Sequence, residues 1–437
     1  MSGMLRSLCP DNDPAGNSGY HKLVRVAATL VPSGRDVGPV GGILLGKIVG
    51  SLLNTAPGLD GIGSRIIKHK SGCLLVIPKG NGKPATDPKA YRPITLLPVL
   101  GKVLERTLLE LAPGLRDNIS ENQHGFVPGR STSTALNDIL GVSRGSAAKY
   151  VQLIFLDISG AFDNAWWLMV LTKVKRGGFP PNLYRLLIDY FIDRRVGFIV
   201  GIEVVWKRST MGCPQGSVLG PALWNVLLDD LLWLPFPAGV KTVAYADDVT
   251  VLVEASSRAE IERLSAQALG LILDWGWRNR LAFAPAKSCT MTVKGRLQRP
   301  SIIRMGGDSI RTVSAATVLG LVLDEHLSFA QHAQSVDERA SKSFGKVSRV
   351  SAASWGVRYP CLNTIYLATY LTTLTYAAGC WYERANLHVV RSDLLKTQRP
   401  ALILLTKAYR TVSTAALPVL VGRSAACSYG GDHSGQD

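Results

Sequence analysis

The chain has 437 residues, and its 49 Lys and Arg outnumber 32 Asp and Glu to give a formal net charge of +17. It is 46% hydrophobic and only 19% charged, so it has ample apolar surface for a core, and a disordered basic tail is excluded. At roughly 150 residues per domain the length suits about three domains or one large multi-lobed enzyme, while a basic excess on a folded chain indicates either a polyanion partner, nucleic acid first, or solubilising surface.

Residues 1–50 are rich in Gly, Pro and Asp, and read as a leader with one helix near His21 to Leu30. The opening MSGMLRSLCPDNDP has no continuous apolar segment, so no signal peptide is expected. Leu96 to Leu111 spaces its apolar residues as an amphipathic helix. Val151 to Ile158 (VQLIFLDI) is a short apolar run ending in an acid, the pattern of a buried strand. Helical stretches follow at Trp166 to Arg176 and Asn182 to Arg195, then a hairpin in FIVGIEVVWKR turning near Gly201. Ser217 to Leu234 is again helical. Lys241 to Glu254 alternates on both sides of an acidic pair, which predicts a β-hairpin. A helix is expected from Ser257 to Arg280, strands around Cys289 to Val293 and Val318 to Asp324, and mostly helix beyond Phe329. Tyr359 to Tyr382 is uncharged, but five threonines and five tyrosines make it too polar to face lipid, so a buried helix is expected and no membrane is implied. Strands and helices interleave irregularly, which favours an α+β fold over a doubly wound parallel sheet. The seven cysteines are scattered and never form a C-x-x-C pair, which argues against a disulfide framework or zinc finger and suits a reducing compartment.

Three aspartates stand out by position. Asp157 closes a predicted buried strand, and Asp247 and Asp248 sit at the tip of a predicted hairpin. A strand end and an adjacent hairpin tip can bring carboxylates to one edge of a sheet, where they would bind Mg²⁺ through hard oxygen ligands. Two such ions, about 3.5–4 Å apart, clamp the attacking and leaving oxygens of a phosphoryl displacement. The doublet Asp229-Asp230 shows how little a bare acidic pair means, since it falls in a helical stretch expected to be solvated. Asp247-Asp248 differs in being bracketed by Val243, Val249, Val251 and Val253.

Y-A-D-D at Tyr245 to Asp248 and F-L-D-I-S-G-A-F-D at Phe155 to Asp163 resemble the catalytic core of reverse transcriptases, in particular those of non-LTR (LINE-type) retrotransposons. Further blocks agree in the family's order. Ala56 to Ile62, Leu75 to Lys79, Tyr91 to Leu97 and Gln123 to Thr132 resemble its fingers motifs; Gly212 to Pro221 is similar to its template- and nucleotide-contacting loop, and Leu319 to Asp324 to its primer-grip hairpin. The resemblance implies a right-hand polymerase of fingers, palm and helical thumb that extends a DNA primer on an RNA template with dNTPs. It further implies a leader at 1–50, fingers at 51–150, palm at 151–324, and thumb and C-terminal region at 325–437 with the tail 423–437 unstructured.

Residue by residue, the resemblance implies that Asp157, Asp247 and Asp248, with the Ile158 carbonyl, would hold two Mg²⁺ ions, or Mn²⁺ in their place. Phe162 would stand beneath the sugar and reject a 2′-hydroxyl, Lys79 and Arg92 would meet the triphosphate, and Gln215 and Gly216 would line the nucleotide. Lys287 would lie near the leaving pyrophosphate, although Ala284 stands where the family commonly has Asn. Trp206, Lys207 and Arg208, the hairpin residues Leu319 and Gly320, and a helix bearing Arg339, Lys342, Lys346 and Arg349 would meet the nucleic acid, the helix having a solvated face as its simpler reading.

The sequence departs from the family in three ways. Gly63 to Gly72 is shorter than the interval family members have there, which suggests an internal fingers deletion. The endonuclease domain and zinc knuckle typical of these elements are not recognisable, and Arg423 to Asp437 resembles nothing in the family. These features fit a truncated or decayed copy, so a catalytically impaired nucleic-acid-binding protein is one alternative. An RNA-dependent RNA polymerase is another, disfavoured because Phe162 stands where those enzymes place a second acid. The family's habits imply an intracellular location, nucleus or cytoplasm, with Lys173 to Arg176 and Arg194-Arg195 as weak nuclear signals at best. Oligomeric state is left open.

Overall fold

The apolar run before Asp157 forms the central strand of a five-stranded sheet in the computed structural model, which describes residues 7–38, 41–50, 71–80, 84, 86–200, 202–348, 356–385 and 387–422. That strand, β3 (Tyr150–Leu156), follows β1 (Ser71–Pro78) and β2 (Tyr91–Leu96), and precedes β4 (Arg195–Val200), β5 (Glu203–Arg208), β6 (Val240–Tyr245), β7 (Asp248–Ala255) and β8 (Cys289–Lys294). Five short strands come after them: β9 (Arg304–Met305), β10 (Asp308–Ser309), β11 (Arg311–Thr312), β12 (Ala315–Val318) and β13 (Leu321–Asp324). The main helices are α1 (Gly19–Thr29), α2 (Gly42–Gly50), α3 (Val99–Leu111), α4 (Thr132–Gly145), α5 (Trp167–Arg176), α6 (Pro181–Phe191), α7 (Gly220–Leu232), α8 (Arg258–Asn279), α9 (Ala330–Ser348), α10 (Tyr359–Ile365), α11 (His388–Thr406) and α12 (Ala416–Val421).

The central sheet has the order β11-β8-β3-β7-β6. Successive side chains of a strand point to opposite faces, and both faces here are covered. Ile154, Leu156, Val249, Val251 and Val253 pack with residues of α5, α7 and α8 such as Val170, Leu227 and Ile272. Val151, Leu153 and Leu252 pack on the other face, against Leu136 and Leu140 of α4 and the hairpin residues Leu321 and Leu323. Each buried Val or Leu contributes about 1.5–3 kcal/mol of transfer free energy, so this two-sided burial fixes the register Leu156↔Val249 against a slip that would turn every side chain over.

A second sheet, ordered β2-β1-β4-β5, joins elements far apart in sequence. Its core among the described residues is small: Leu74 and Val196, with Cys9, Val76 and Phe198 partly buried against them. The start of the helix expected at Leu96 falls instead at Val99, after Pro98, because Tyr91–Leu96 pairs antiparallel with β1. Tertiary pairing outweighs local pattern there.

α8 begins on Ser257, whose hydroxyl accepts from Glu260 N, and ends on Arg280 in the left-handed conformation, a capped helix within a residue of the sequence reading. The helix in the segment read as a leader is docked: His21, Val24 and Ala28 are buried, and the Tyr184 hydroxyl donates to Ala28 O at 2.8 Å. The uncharged stretch 359–382 is helical in pieces and buried along one side only. Leu362, Tyr366, Tyr370 and Leu374 are buried, while Tyr359 and Leu367 are exposed. Thr369, Thr372 and Thr373 satisfy their hydroxyls on backbone carbonyls within the helix, which corrects the expectation of a wholly buried helix. No helix among the described residues is long and apolar enough to cross a membrane. The block Ala56 to Ile62, most of the shortened interval 63–72, the turn at Gly201 and the tail 423–437 lie outside the described residues.

Candidate active site

The hairpin of β6 and β7 pairs Tyr245 with Asp248, so Ala246 and Asp247 make a two-residue turn, with Ala246 at φ +57°. Because Leu156 lies opposite Val249, Asp157 leaves the sheet at the same end as this turn. The Asp157 main chain is pinned there, its N–H donating to Ser288 Oγ at 3.2 Å and its carbonyl accepting from Ala284 N at 2.9 Å. The Lys287 ammonium stands 3.1 Å from Asp157 Oδ1. Burial first, and then the neighbouring Asp157 charge, push the Asp247 carboxyl above the usual range. Asp248 is pushed up to about 6 by burial and by repulsion from Asp247 and Asp157. These shifts place the three acids within each other's electrostatic reach.

Asp157, Ile158 and Asp247 line a cleft of about 620 Å³, together with Lys79, Arg92, Phe162, Gln215, Gly216 and Lys287. Arg92 lies on β2 opposite Ile77, and Lys79 directly follows β1, its N–H donating to Ala90 O at 2.8 Å. Phe162 stacks on Trp224 with ring centroids 5.1 Å apart and meets Phe126 edge-on at 5.8 Å, so its ring is wedged rather than free. The Gln215 carbonyl accepts from Thr95 N at 2.7 Å. Gly216 has φ +107°, and a Cβ on it would lie 2.6 Å from Thr95 O, so a side chain there would drive the loop off β2.

Three further residues shape the cleft without having been singled out by the sequence. Asp163 lines it, accepts from Gln215 Nε2 at 3.4 Å, and is pushed up to about 6, chiefly by burial, with the Gln215 hydrogen bond and the Lys79 charge opposing. Its signal was the second acid of F-L-D-I-S-G-A-F-D. Phe126 also lines the cleft and belongs to the Gln123 to Thr132 block. Glu105 on α3 is fully buried; one carboxylate oxygen accepts from Val218 N at 2.6 Å and Leu219 N at 3.3 Å, and the other accepts from the Tyr190 hydroxyl at 2.5 Å. It anchors the N-terminus of α7, directly after Gln215 and Gly216. Its signal was its spacing, three and four residues before Leu108 and Leu109, which puts it on the buried face of α3.

Other sequence candidates lie elsewhere. Asp248 keeps solvent access on its outer side despite the protein crowded around its carboxyl, and is not one of the cleft-lining residues. Trp206, Lys207 and Arg208 are on the edge strand β5; Lys207 pairs with Asp11 at 3.1 Å and donates to Cys9 O, and Arg208 pairs with Asp193 at 3.0 Å. Leu319 and Gly320 form the turn between β12 and β13, where the Tyr376 hydroxyl donates to Leu319 O at 2.5 Å. On α9, Lys342 is exposed, while the Lys346 side chain and Arg349 lie outside what is described. The Asp229-Asp230 doublet is only partly solvated, and both of its carboxylates are engaged. Asp229 Oδ1 accepts from Ser120 N at 2.7 Å, and Asp230 Oδ1 accepts from Lys173 Nζ and Trp275 Nε1, each at 2.6 Å. The basic runs are also structural in part, since the Lys173 side chain is nearly buried and Arg194 is buried over the Tyr190 ring, 4.2 Å from its centroid.

Among the described residues, no three acidic, histidine or cysteine side chains are gathered closely enough to hold a metal ion as they stand. The donor chemistry nevertheless fits a hard divalent cation: carboxylates only, mutually repelling, and opening on a cleft walled by cations.

The family model described as "Reverse transcriptase (RNA-dependent DNA polymerase)" matches residues 77–323, more than half of the chain. The retrovirus-related Pol polyprotein from the type-1 retrotransposable element R1 of Bradysia coprophila is 33% identical over 359 residues, 81% of this chain and 36% of that protein. A putative 115 kDa protein in the type-1 retrotransposable element R1DM of Drosophila melanogaster is 34% identical over 344 residues, 79% of this chain and 33% of that one. The chain thus spans about a third of the length of these relatives. A solved telomerase from Candida Tropicalis, in complex with a fragment of telomeric RNA, overlaps 81% of this chain and 60% of that one at 10% identity, with a TM-score of 0.42.

Proposed function

Since the chain belongs to the reverse transcriptase family, we propose that it is an RNA-directed DNA polymerase of a non-LTR retrotransposon, adding dNTPs to a DNA primer on an RNA template. The observation that supports this reading most is the convergence of Asp157 and Asp247 on one cleft with Lys79, Arg92, Phe162 and Gln215. In this reading residues 51–150 are fingers, 151–324 palm and 325–437 thumb and C-terminal region.

Asp157, Asp247 and Asp248, with the Ile158 carbonyl, would hold two Mg²⁺ ions, which when bound lower the pKa of the primer 3′-hydroxyl and neutralise the departing pyrophosphate. Lys79 and Arg92, lining the same cleft, bind the triphosphate, their fixed charge favouring the transferring phosphoryl group. Lys287, already at the Asp157 carboxylate, supplies a cation on the pyrophosphate side. The Phe162 ring, held between Trp224 and Phe126, cannot swing aside, and so excludes a ribose 2′-hydroxyl. Gln215 and Gly216 line the nucleotide, and the +17 charge serves a phosphate backbone bound without sequence readout.

Primer extension on an RNA template with Mg²⁺, with dNTPs and rNTPs offered in separate reactions, tests this. dNTP incorporation that Asp247→Asn abolishes is expected. Salt-dependent hybrid binding without extension would replace it with a nucleic-acid-binding function. Preferential rNTP incorporation would indicate an RNA polymerase and overturn the role of Phe162.

A further inference from the structure

The segment before α4 crosses the edge of the central sheet beside the acid turn. His124 N donates to Ala244 O and Ala244 N to Asn122 O, each at 2.8 Å, which brings Gln123 under the turn with 1% of its surface exposed. Its carboxamide then meets both polar groups of one residue. Gln123 Oε1 accepts from Ala246 N at 2.9 Å, and Nε2 donates to Ala246 O at 3.2 Å. Oε1 also accepts from Gly125 N at 2.8 Å. A main-chain donor at one end and a carbonyl at the other define the amide's orientation without ambiguity.

The clamp is itself held. Arg130 Nη1 donates to Gln123 O at 2.7 Å, and Asn225 Nδ2 donates to Gly125 O at 2.8 Å. At Gly125 a Cβ would lie 2.2 Å from Ala246 N, so only glycine lets the two chains approach this closely. What the clamp holds needs holding. Ala246 has φ +57°, a region disfavoured for a residue with a Cβ, and the next residue is Asp247.

We propose that Gln123 is a positioning residue for the acid turn: its buried carboxamide grips the main chain of Ala246 and so sets where the Asp247 carboxylate stands in the cleft. This role rests on the polymerase reading above. Ionised Glu at 123 keeps the shape but cannot donate to Ala246 O, so that variant is assayed at a pH high enough to ionise it, and Leu pairs with neither group.

The test uses the full chain, with Gln123→Leu and Gln123→Glu. Primer extension is expected to lose about 10–100-fold in kcat, the scale of a small misplacement of reacting groups, with KM for dNTP and affinity for hybrid unchanged. Mn²⁺ binding, measured by electron paramagnetic resonance without nucleic acid, is expected to weaken about 10–100-fold, as when a group supporting a ligand is removed. Both variants should melt cooperatively. Unchanged kcat and Mn²⁺ affinity would overturn the proposal, and so would loss of the cooperative melt in both variants, which would make Gln123 a folding residue. If the unaltered chain binds Mn²⁺ but extends no primer, the polymerase reading fails while Mn²⁺ affinity still decides the clamp. An unaltered chain that binds no Mn²⁺ overturns both.

Discussion

The sheet that carries Asp157 and Asp247 is packed on both faces, and Val151, Leu153, Ile154, Val251, Leu252 and Val253 are wholly buried. The sheet that carries Arg92, with Lys79 at its edge, rests among the described residues chiefly on Leu74 and Val196, and leaves Leu75, Ile77, Ile199, Val204, Val205 and Trp206 exposed. Few buried apolar contacts mean low local stability, and many mean the reverse. On the polymerase reading, the acids, whose job would depend on sub-ångström placement, therefore sit on the better-packed platform. The cations, whose attraction falls off slowly with distance, sit on the thinner one.

The sharpest way to break this contrast is at the turn itself. Asp247→Asn should lower dNTP incorporation by about 10³-fold or more, equivalent to roughly 4 kcal/mol of barrier, without lowering the melting temperature, because it removes a carboxylate that burial and Asp157 already disfavour. A variant that retained a tenth of the activity would take the chemistry away from this hairpin.

The platforms themselves come next. Leu252→Ala, in the middle of β7, should cost about 3 kcal/mol of unfolding free energy, read from urea denaturation. Leu75→Ala, at a half-exposed position of β1, should stay within about 0.5 kcal/mol. Equal losses at the two positions would refute the difference in packing.

The same contrast explains what the sequence could reveal. The central sheet was legible because its period-two alternation and its caps are local: VQLIFLD, KTVAYADDVTVLVE and the Ser257 cap each carry their own signal. The thin sheet was legible only in its β4–β5 hairpin; its other pairings were not, since Ile77 meets Arg92 across the long connection 79–90 and Gly72 meets Val196 from more than a hundred positions away. In the cleft, Asp157 and Asp247 were legible by position, whereas Glu105, Gln123 and Asp163 act through burial and hydrogen bonds formed only on folding. The spacing of Glu105 puts it on the apolar face of α3 with Leu108 and Leu109, but what it bonds there is set by elements distant in sequence. Lys173 and Asp230 erred the other way, reading as surface charge although they bond each other within the protein.

Smaller effects should follow on the cation wall. Arg92→Ala should lower kcat/KM for dNTP by about 10–100-fold, or roughly 1.4–2.8 kcal/mol, mainly through KM, because a charge on a thin sheet binds the triphosphate more than it orients the reacting atoms. Steady-state kinetics separate the two parameters. A loss confined to kcat would show the wall to be as finely placed as the acids.

Asp163 stands where the two platforms meet, following β3 in the chain and accepting from Gln215, whose carbonyl hangs on β2. Folding raises its pKa from the usual 3.8 to about 6, so between those values the folded protein binds the proton more tightly than the unfolded chain. Stability from this group is therefore full below pH 3.8 and is lost as pH rises through about 6. Asn stays neutral and keeps an oxygen that can accept from Gln215. Asp163→Asn should then be more stable than the parent by about 2 kcal/mol at pH 8, the full shift being worth roughly 3 kcal/mol before allowance for solvent. The gain should shrink steadily below pH 6 and vanish near pH 4. Urea denaturation at pH 8, 6 and 4.5 measures it. A gain that did not change with pH would mean that the carboxyl is already solvated, and that the junction between the sheets is looser than the Gln215 contact implies.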